Sequence, residues 1–172
     1  MNSRNYVTLN PMIQTNFDLQ SVNTFGISVK AKIFAAFSSM EELSELLKQF
    51  PNEERLILGG GSNLLLTKDF DGLVLKNEIK GFRVISEDEH EVIVEAGAGE
   101  IWHAFVLKCI EQNYSGLENL SLIPGSVGAS PMQNIGAYGA EIKDCFESLQ
   151  AYHIATGEMH TFDKAACAFG YR

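Results

Sequence analysis

The chain has 172 residues, of which 45% are hydrophobic and 20% charged, so it can bury a core as one domain or two small ones. Its formal net charge of -9 argues against nucleic acid or an anionic membrane as a partner. The opening residues lack the apolar core of a signal peptide, and no run reaches membrane-spanning length. Three widely spaced cysteines, Cys109, Cys145 and Cys167, indicate reduced, mostly buried thiols in a cytoplasmic protein.

The first part of the chain is patterned as a strand–helix–strand unit. Ser39 and Glu42 form a capping box, and the apolar residues that follow recur at helical spacing until Pro51 closes the helix. An apolar run lies on each side of this helix, which favours a small parallel unit. The other predicted elements are a loose N-terminal arm at 1–16, a turn at Asn23–Gly26, and strands at 31–37 and 55–58.

A glycine-rich loop, Gly59-Gly60-Gly61-Ser62-Asn63, follows the second of these strands. Such a run can present a nest of backbone N–H groups, and nests bind anions such as phosphate. The alternative interpretation is a flexible turn between two strands. The loop lacks the Gly-Lys-Ser/Thr of a P-loop, and the extended pattern at 64–75 is not the helix that a dinucleotide-binding fingerprint requires.

The middle of the chain predicts strands followed by a helix. We expect strands at 72–76, 82–86 and 90–96, and the last two form a hairpin around an acidic turn. Two adjacent apolar rows then predict a well-buried helix that ends near Asn113, with His103 as a satisfied core imidazole. The rows are Ile101, Phe105 and Cys109, and Trp102, Val106 and Ile110.

A second glycine-rich stretch runs from Ser121 to Glu141. Its glycine, alanine and serine residues let the backbone bend sharply and approach something large. Interleaved residues such as Ile123 and Tyr138 distinguish it from a disordered linker, although a surface loop without a ligand remains the alternative. Together with Gly59–Asn63, the stretch fits a phosphate-bearing cofactor held mainly by backbone N–H groups, and the residues alone do not say which cofactor.

The C-terminal part predicts a hairpin and a short helix. The hairpin strands are 149–154 and 159–162, around Thr156-Gly157. Asp163 is placed to cap a helix at 164–169, with Gly170 as its stop. The four histidines of the chain show no metal-ligand spacing, so no metal site is predicted.

Several motifs, in order from Asn23 to the last residue, resemble the UDP-N-acetylenolpyruvoylglucosamine reductase family of flavoenzymes. The long run from Ile123 to Gly139 is highly specific, whereas the first glycine-rich loop is shared with many flavin oxidases. The matching segments are 23–26, 58–63, 97–103, 116–120, 123–128, 131–139 and 169–172.

The resemblance implies an α+β fold, namely an FAD-binding domain of the vanillyl-alcohol-oxidase/PCMH type with two α+β subdomains. These would lie at 17–75 and 76–172, with non-covalent FAD between them. It also implies a C-terminally truncated chain, the N-terminal half or so of the enzyme, in which the second subdomain is incomplete and the substrate domain absent.

The resemblance also assigns roles to residues. Arg172 matches the catalytic arginine that binds the substrate carboxylate, for which a guanidinium has suitable bidentate geometry. Tyr138 and Tyr171 are expected to face the substrate. The expected cofactor-binding residues are Gly59, Gly60, Gly61, Ser62, Asn63, Pro124, Gly125, Ser126, Gly128, Ala129, Ser130, Asn134 and Gly136.

The activity implied by the resemblance is reduction of UDP-N-acetylglucosamine enolpyruvate to UDP-N-acetylmuramate in peptidoglycan synthesis, and hence a role in cell wall biogenesis, cell shape and cell division. NADPH reduces the flavin, which then reduces the enolpyruvyl double bond. An arginine and a glutamate polarise the substrate, and a serine supplies a proton. Only the arginine has a match here, so we expect no turnover from this chain. We expect FAD binding to be kept but weakened. We also expect the protein to be a cytoplasmic monomer.

Three alternatives remain open from the sequence. The first is another oxidase of the same flavin fold, although Gly59–Asn63 contains no histidine for covalent attachment of FAD. The second is a non-catalytic flavin- or nucleotide-binding module. The third is a structural or interaction protein that holds no cofactor.

Overall fold

A four-stranded sheet is the largest element of the computed structural model, which describes residues 12–170. Its strands are β1 (Ile13–Asp18), β2 (Lys30–Phe37), β3 (Arg55–Leu58) and β4 (Phe70–Asn77), in the order β1-β2-β4-β3. β1 is antiparallel to β2, whereas β2 and β3 both run parallel to β4. The predicted parallel unit is therefore confirmed, with β4 inserted between its two strands.

Strand β1 begins inside the segment that the sequence assigned to a loose arm. Residues 13–15 pair with β2, with Ile13 opposite Ala35 and Thr15 opposite Ile33. That part of the expectation is wrong, because β2 offers an edge whose backbone groups β1 satisfies. Residues 1–11 of the expected arm lie outside the described residues.

Helix α1 (Met40–Gln49) begins at Ser39, as predicted, and is followed by Pro51. The Ser39 Oγ accepts the N–H of Glu42 at 3.2 Å. The reciprocal bond of a capping box is shifted, because the Glu42 carboxylate accepts the N–H of Ser38 at 2.6 Å instead of the N–H of Ser39. The N-terminus of α1 is thus closed by two acceptors, one of them charged.

The sheet has a buried apolar cluster on each of its two faces, so both faces are covered. Helix α1 covers one face, and the chain around Leu19 and Leu66 covers the other. The first cluster comprises Ile33, Ala35, Phe37, Leu43, Leu46, Leu47, Leu73 and Leu75, and the second comprises Leu19, Val29, Ala31, Phe34, Leu58, Leu66 and Val74.

Strands β5 (Phe82–Glu87) and β6 (Val92–Ala96) form the predicted antiparallel hairpin. β6 begins two residues later than expected. The reason is Asp88, whose Oδ1 accepts the N–H groups of His90 at 2.7 Å and Glu91 at 3.0 Å and so holds them in the turn.

Helix α2 (Trp102–Glu111) buries one side only. Trp102, Val106 and Cys109 are buried, but Ile101 is 62% exposed and Ile110 is 41% exposed. The expectation of a well-buried helix with two buried apolar rows is therefore wrong for the outer side, because Leu120, Ile135 and Ile142 pack against a single face. His103 is half-buried at the edge, where its Nδ1 accepts the N–H of Leu122 at 3.1 Å.

The second glycine-rich stretch contains short regular elements. A 3-10 helix spans Val127–Gln133, and strands β7 (Gly136–Ala137) and β8 (Ala140–Glu141) form a small hairpin after it. Within residues 12–170, no helix is both long and apolar enough to cross a membrane.

The last elements are β9 (Ser148–His153) and β10 (Glu158–Asp163), which form the predicted antiparallel hairpin. The predicted helix at 164–169 is a turn. Asp163 does accept the N–H of Ala166 at 2.7 Å, as a cap would. Ala168, however, adopts a positive φ of 46°, a left-handed conformation that cannot continue a right-handed helix.

The three cysteines differ in accessibility, which predicts their order of alkylation. Cys109 is buried, Cys145 is exposed and Cys167 is intermediate, so the expectation of mostly buried thiols holds for Cys109 alone. Burial raises the pKa of Cys109 to about 11, which leaves it a protonated thiol at neutral pH. Under iodoacetamide at pH 8, peptide mass spectrometry should show Cys145 alkylated at least about tenfold faster than Cys109. Equal rates in the native protein would contradict this burial.

Candidate functional site

The two glycine-rich segments lie in direct contact, as their pairing in the sequence suggested. A Cβ placed on Gly59 would lie 2.6 Å from the Oγ of Ser126, and one on Gly60 would lie 3.0 Å from the Cα of Gly125. The contact at Gly60 joins two backbones and is tighter than nine in ten real Cβ contacts, so glycine at this position lets the two segments approach closely.

Two carbonyl groups of the first loop accept hydrogen bonds from residues outside it. The Gly59 oxygen accepts a hydrogen bond from Lys76 Nζ at 2.6 Å. The Gly61 oxygen accepts two from Thr24, from its N–H at 3.0 Å and its Oγ1 at 3.2 Å. Thr24 is placed by the buried Asn23, whose Nδ2 donates to the carbonyl of Leu19 at 2.7 Å.

These two carbonyls fix the direction of two N–H groups of the same loop. Peptide bonds in the described chain are trans, so the N–H that follows a held carbonyl is directed away from it. This applies to the N–H of Gly60 and the N–H of Ser62. Within residues 12–170, the N–H groups of Gly60, Gly61 and Ser62 donate to no protein acceptor. Gly61 is nevertheless buried, and buried backbone donors normally have a partner.

The second glycine-rich segment is held by backbone hydrogen bonds to residues 98–102. Gly125 accepts the N–H of Trp102 at 3.0 Å, and the N–H groups of Val127 and Gly128 donate to the carbonyls of Glu100 and Ala98, each at 2.9 Å. The N–H groups of Gly125 and Ser126 have no acceptor in the described part of the chain. The two segments therefore present five N–H groups without a protein acceptor.

Residues 98–102 in turn contact the chain that follows β4. Glu100 Oε1 accepts the N–H of Gly81 at 2.9 Å, and its carboxylate lies 3.7 Å from Lys80 Nζ. Lys80 also donates to the carbonyl of Gly99. Sequence reasoning missed Lys76 and Lys80 as supports of the two loops. The available signal was two lysines four residues apart, one at the end of the predicted strand 72–76 and one just after it.

Lys76 is the charged group next to the first loop. Burial lowers the pKa of its ammonium from the usual range, the charge of Glu78 opposes this, and the charge of Lys80 adds to it. The ammonium of Lys76 therefore lies in a partly desolvated position, where a charge acts more strongly than it would in bulk water.

Two of the predicted cofactor-binding side chains are engaged within the protein. The Ser130 Oγ donates to the carbonyl of Val127 at 2.7 Å. Asn134 has a positive φ of 42°, and its Nδ2 donates to Glu141 Oε2 at 2.9 Å and to the carbonyl of Gly170 at 3.0 Å. Hydrogen bonds from the side chains of Lys143 and Asn134 lower the pKa of Glu141, so this acceptor stays ionised. The roles of Ser130 and Asn134 towards a cofactor stay predictions.

An open cleft of about 530 Å³ adjoins the two segments. It is bounded by Asn63 from the first loop, by residues 131–134 and by residues 167–170. A neighbouring cleft of about 630 Å³ lies along the β7–β8 hairpin. Tyr138, at the tip of that hairpin, is 89% exposed.

The predicted site residues thus divide into three groups. Gly59, Gly60, Ser62 and Gly125–Ser126 form the contact between the two segments, whereas Gly61 packs on Val22 and Gly128 packs on Ala98. Asn63 and Asn134 line the cleft of about 530 Å³, and the side chain of Tyr138 is exposed to solvent. Tyr171 and Arg172 lie outside the described residues. The remaining predicted cofactor-binding residues are Pro124, Ala129, Ser130 and Gly136, which lie along the second segment.

Comparison with known protein families shows which family has this sequence pattern. A family model described as an FAD binding domain matches residues 31–163, which include both glycine-rich segments. The chain belongs to the FAD-binding domain family. The mixed α+β fold and the FAD-binding class predicted from the sequence are thereby confirmed.

Individual relatives in this family carry one enzyme name, UDP-N-acetylenolpyruvoylglucosamine reductase. The chain is 58% identical over 160 residues to that of Flavobacterium johnsoniae, with 93% of this chain and 48% of the relative covered. It is 50% identical over 162 residues to that of Amoebophilus asiaticus, with the same two shares covered. The chain spans about half the length of the curated relatives it matches. The resemblance drawn from the motifs is confirmed at this level.

A solved structure shows the same fold. The crystal structure of UDP-N-acetylenolpyruvylglucosamine reductase from Thermus caldophilus superimposes with a TM-score of 0.72 at 24% identity. The match covers 95% of this chain and 56% of that chain. The described elements therefore have the fold of about half of that longer chain.

Proposed function

We propose that this chain is the FAD-binding part of a UDP-N-acetylenolpyruvoylglucosamine reductase, and that FAD binds non-covalently across the two glycine-rich segments. The observation that supports the proposal most is the set of five N–H groups without a protein acceptor, at Gly60, Gly61, Ser62, Gly125 and Ser126. Such a set suits the oxygens of a pyrophosphate. The net charge of -9 is compatible with it, since backbone donors need no excess of lysine or arginine.

The residues of the site would have separate binding roles. The amides of Gly60 and Ser62 would donate to pyrophosphate oxygens, and Gly125 and Ser126 would donate from the facing segment. Bound FAD supplies the two-electron redox chemistry, with NADPH as the electron source. Tyr138 would face the enolpyruvyl UDP-sugar. The Arg172 guanidinium would bind the substrate carboxylate and orient it by two parallel hydrogen bonds.

The cofactor proposal is tested by mixing the purified 172-residue chain with FAD and recording the visible spectrum. We expect saturable flavin bands, displacement of FAD by ADP, and much weaker binding of riboflavin, which has no phosphate. Acid precipitation should release all of the flavin, because no histidine lies in Gly59–Asn63 to hold it covalently. A spectrum of free flavin at every protein concentration would contradict the proposal.

Turnover is a separate expectation. The serine and the glutamate that the resemblance implies have no match among these 172 residues. We therefore expect no NADPH consumption dependent on the enolpyruvyl UDP-sugar from this polypeptide, and we expect such consumption from a longer product of the same gene. A longer product that binds FAD but does not reduce the substrate would favour a non-catalytic flavin-binding module instead.

A further inference from the structure

The side chain of Lys76 extends from the end of β4 to the first glycine-rich loop. Lys76 pairs with Leu58 at the last paired position of β3 and β4, so it lies beside the strand that leads into the loop. Its Nζ reaches the carbonyl oxygen of Gly59 at 2.6 Å. A hydrogen bond from a charged donor is roughly twice as strong as one between neutral groups.

This bond determines the direction of one peptide group. The Gly59–Gly60 peptide is trans, so when Lys76 holds the Gly59 carbonyl the Gly60 N–H is directed to the opposite side. A glycine–glycine peptide has little intrinsic preference for one orientation, because neither residue has a Cβ to restrict its dihedral angles. The orientation of the Gly60 amide therefore depends on what holds the carbonyl.

Within residues 12–170, the ammonium of Lys76 makes no ion pair with a carboxylate. Among residues 12–170, the ion pairs of the chain join other lysines, Arg83 and His160 to carboxylates, and none includes Lys76. Partial burial of a cation that has no carboxylate partner is unfavourable, and the hydrogen bond to a single loop carbonyl compensates this cost only in part. That cost is offset if an anion also binds next to the loop.

We propose that Lys76 is a positioning residue of the pyrophosphate-binding loop, whose ammonium holds the Gly59 carbonyl and thereby aims the Gly60 amide at the ligand. The inference rests on the proposed binding of FAD. A cation on the carbonyl also polarises the peptide, which makes the Gly60 N–H a stronger donor. Thr24 holds the Gly61 carbonyl in the same way, but with neutral donors.

Three variants of the 172-residue chain test the proposal. Lys76→Met keeps the apolar stem and removes the charged donor. Lys76→Arg keeps the charge and the donors. Lys68→Met is the matched control, since Lys68 is exposed between the first loop and β4 and its replacement changes the net charge equally. Each variant is titrated with FAD, ADP and riboflavin, and thermal unfolding is followed by the fluorescence of Trp102.

We expect Lys76→Met to weaken FAD and ADP about tenfold and to leave riboflavin unchanged, because only the phosphates meet the Gly60 amide. Lys76→Arg should restore most of the loss, and Lys68→Met should bind as the unaltered chain does. An equal loss for riboflavin and FAD, or FAD affinity of Lys76→Met within about twofold of the unaltered chain, would overturn the inference.

The amide proton and nitrogen chemical shifts of Gly60 in the ligand-free protein provide a readout that does not depend on FAD. We expect them to move in Lys76→Met, where the peptide loses its anchor, and to return in Lys76→Arg. If the unaltered chain does not bind FAD, the proposed function fails by itself. Unchanged Gly60 shifts in Lys76→Met would instead overturn the orienting role of Lys76.

Discussion

Replacement of Gly61 by alanine is expected to abolish measurable FAD binding and to destabilise the chain by about 3 kcal/mol or more. Gly61 has a positive φ of 65°, which costs an alanine about 1–2 kcal/mol. A Cβ there would also lie 2.2 Å from the carbonyl oxygen of Val22 and 2.9 Å from the Cα of Asn23. Both are backbone atoms, so the loop itself must move, and the amides of Gly60 and Ser62 move with it.

Gly26 provides a matched control for this substitution. Its φ of +64° is almost the same, but a Cβ there would meet nothing within 4 Å. Gly26→Ala should therefore show the conformational cost alone, about 1 kcal/mol, with FAD affinity nearly unchanged. The measurements are urea unfolding and FAD titration of both variants. Equal effects at the two positions would show that the contact with Val22 does not determine the loop.

Replacement of Leu120 by alanine is expected to lower the free energy of unfolding by about 3 kcal/mol. Leu120 is fully buried between Trp102, Val106, Ile135 and Ile142, beneath the second glycine-rich segment. The loss combines the transfer of the removed side chain with the cavity left behind. Trp102 is the single tryptophan of the chain, and its Nε1 donates to the carbonyl of Leu120 at 2.7 Å. Its fluorescence therefore reports unfolding at the substituted position.

Leu122→Ala is the control for this prediction. Leu122 is 76% exposed, and it undergoes the same substitution two residues along the chain. Its effect on the free energy of unfolding should stay within about 0.5 kcal/mol. Comparable losses in the two variants would mean that the cluster around Leu120 does not stabilise this part of the chain.

Elements with a strong local signal were predictable from the sequence. Helix α1 begins at Ser39 as expected, because an N-cap side chain acts within its own turn. The two hairpins β5–β6 and β9–β10 also follow from alternating patterns on either side of turn residues. The glycine-rich segments were found in the sequence because a run of small residues is visible without knowledge of the fold.

Features that depend on the rest of the fold were mispredicted or missed. The sequence predicted a well-buried α2, but only one face of this helix packs against apolar residues. The capping carboxylate of Glu42 bonds to Ser38 instead of Ser39, a choice between two adjacent donors that spacing does not resolve. Ala168 adopts a left-handed conformation, which alanine rarely adopts and which the residue pattern does not predict.

By itself, the sequence determined that two glycine-rich segments exist and that their motifs resemble one flavoenzyme family. Only the tertiary structure decided that the segments touch, with Gly60 against Gly125, and that Lys76 and Thr24 hold the carbonyls of the first loop. The physical reason is separation along the chain. Thr24 and Gly61 are 37 positions apart, so their hydrogen bond depends on how the sheet brings β3 and its loop next to the turn at Asn23–Gly26. Local propensity selects the elements, whereas the direction in which an amide points depends on contacts that form only when the chain has folded.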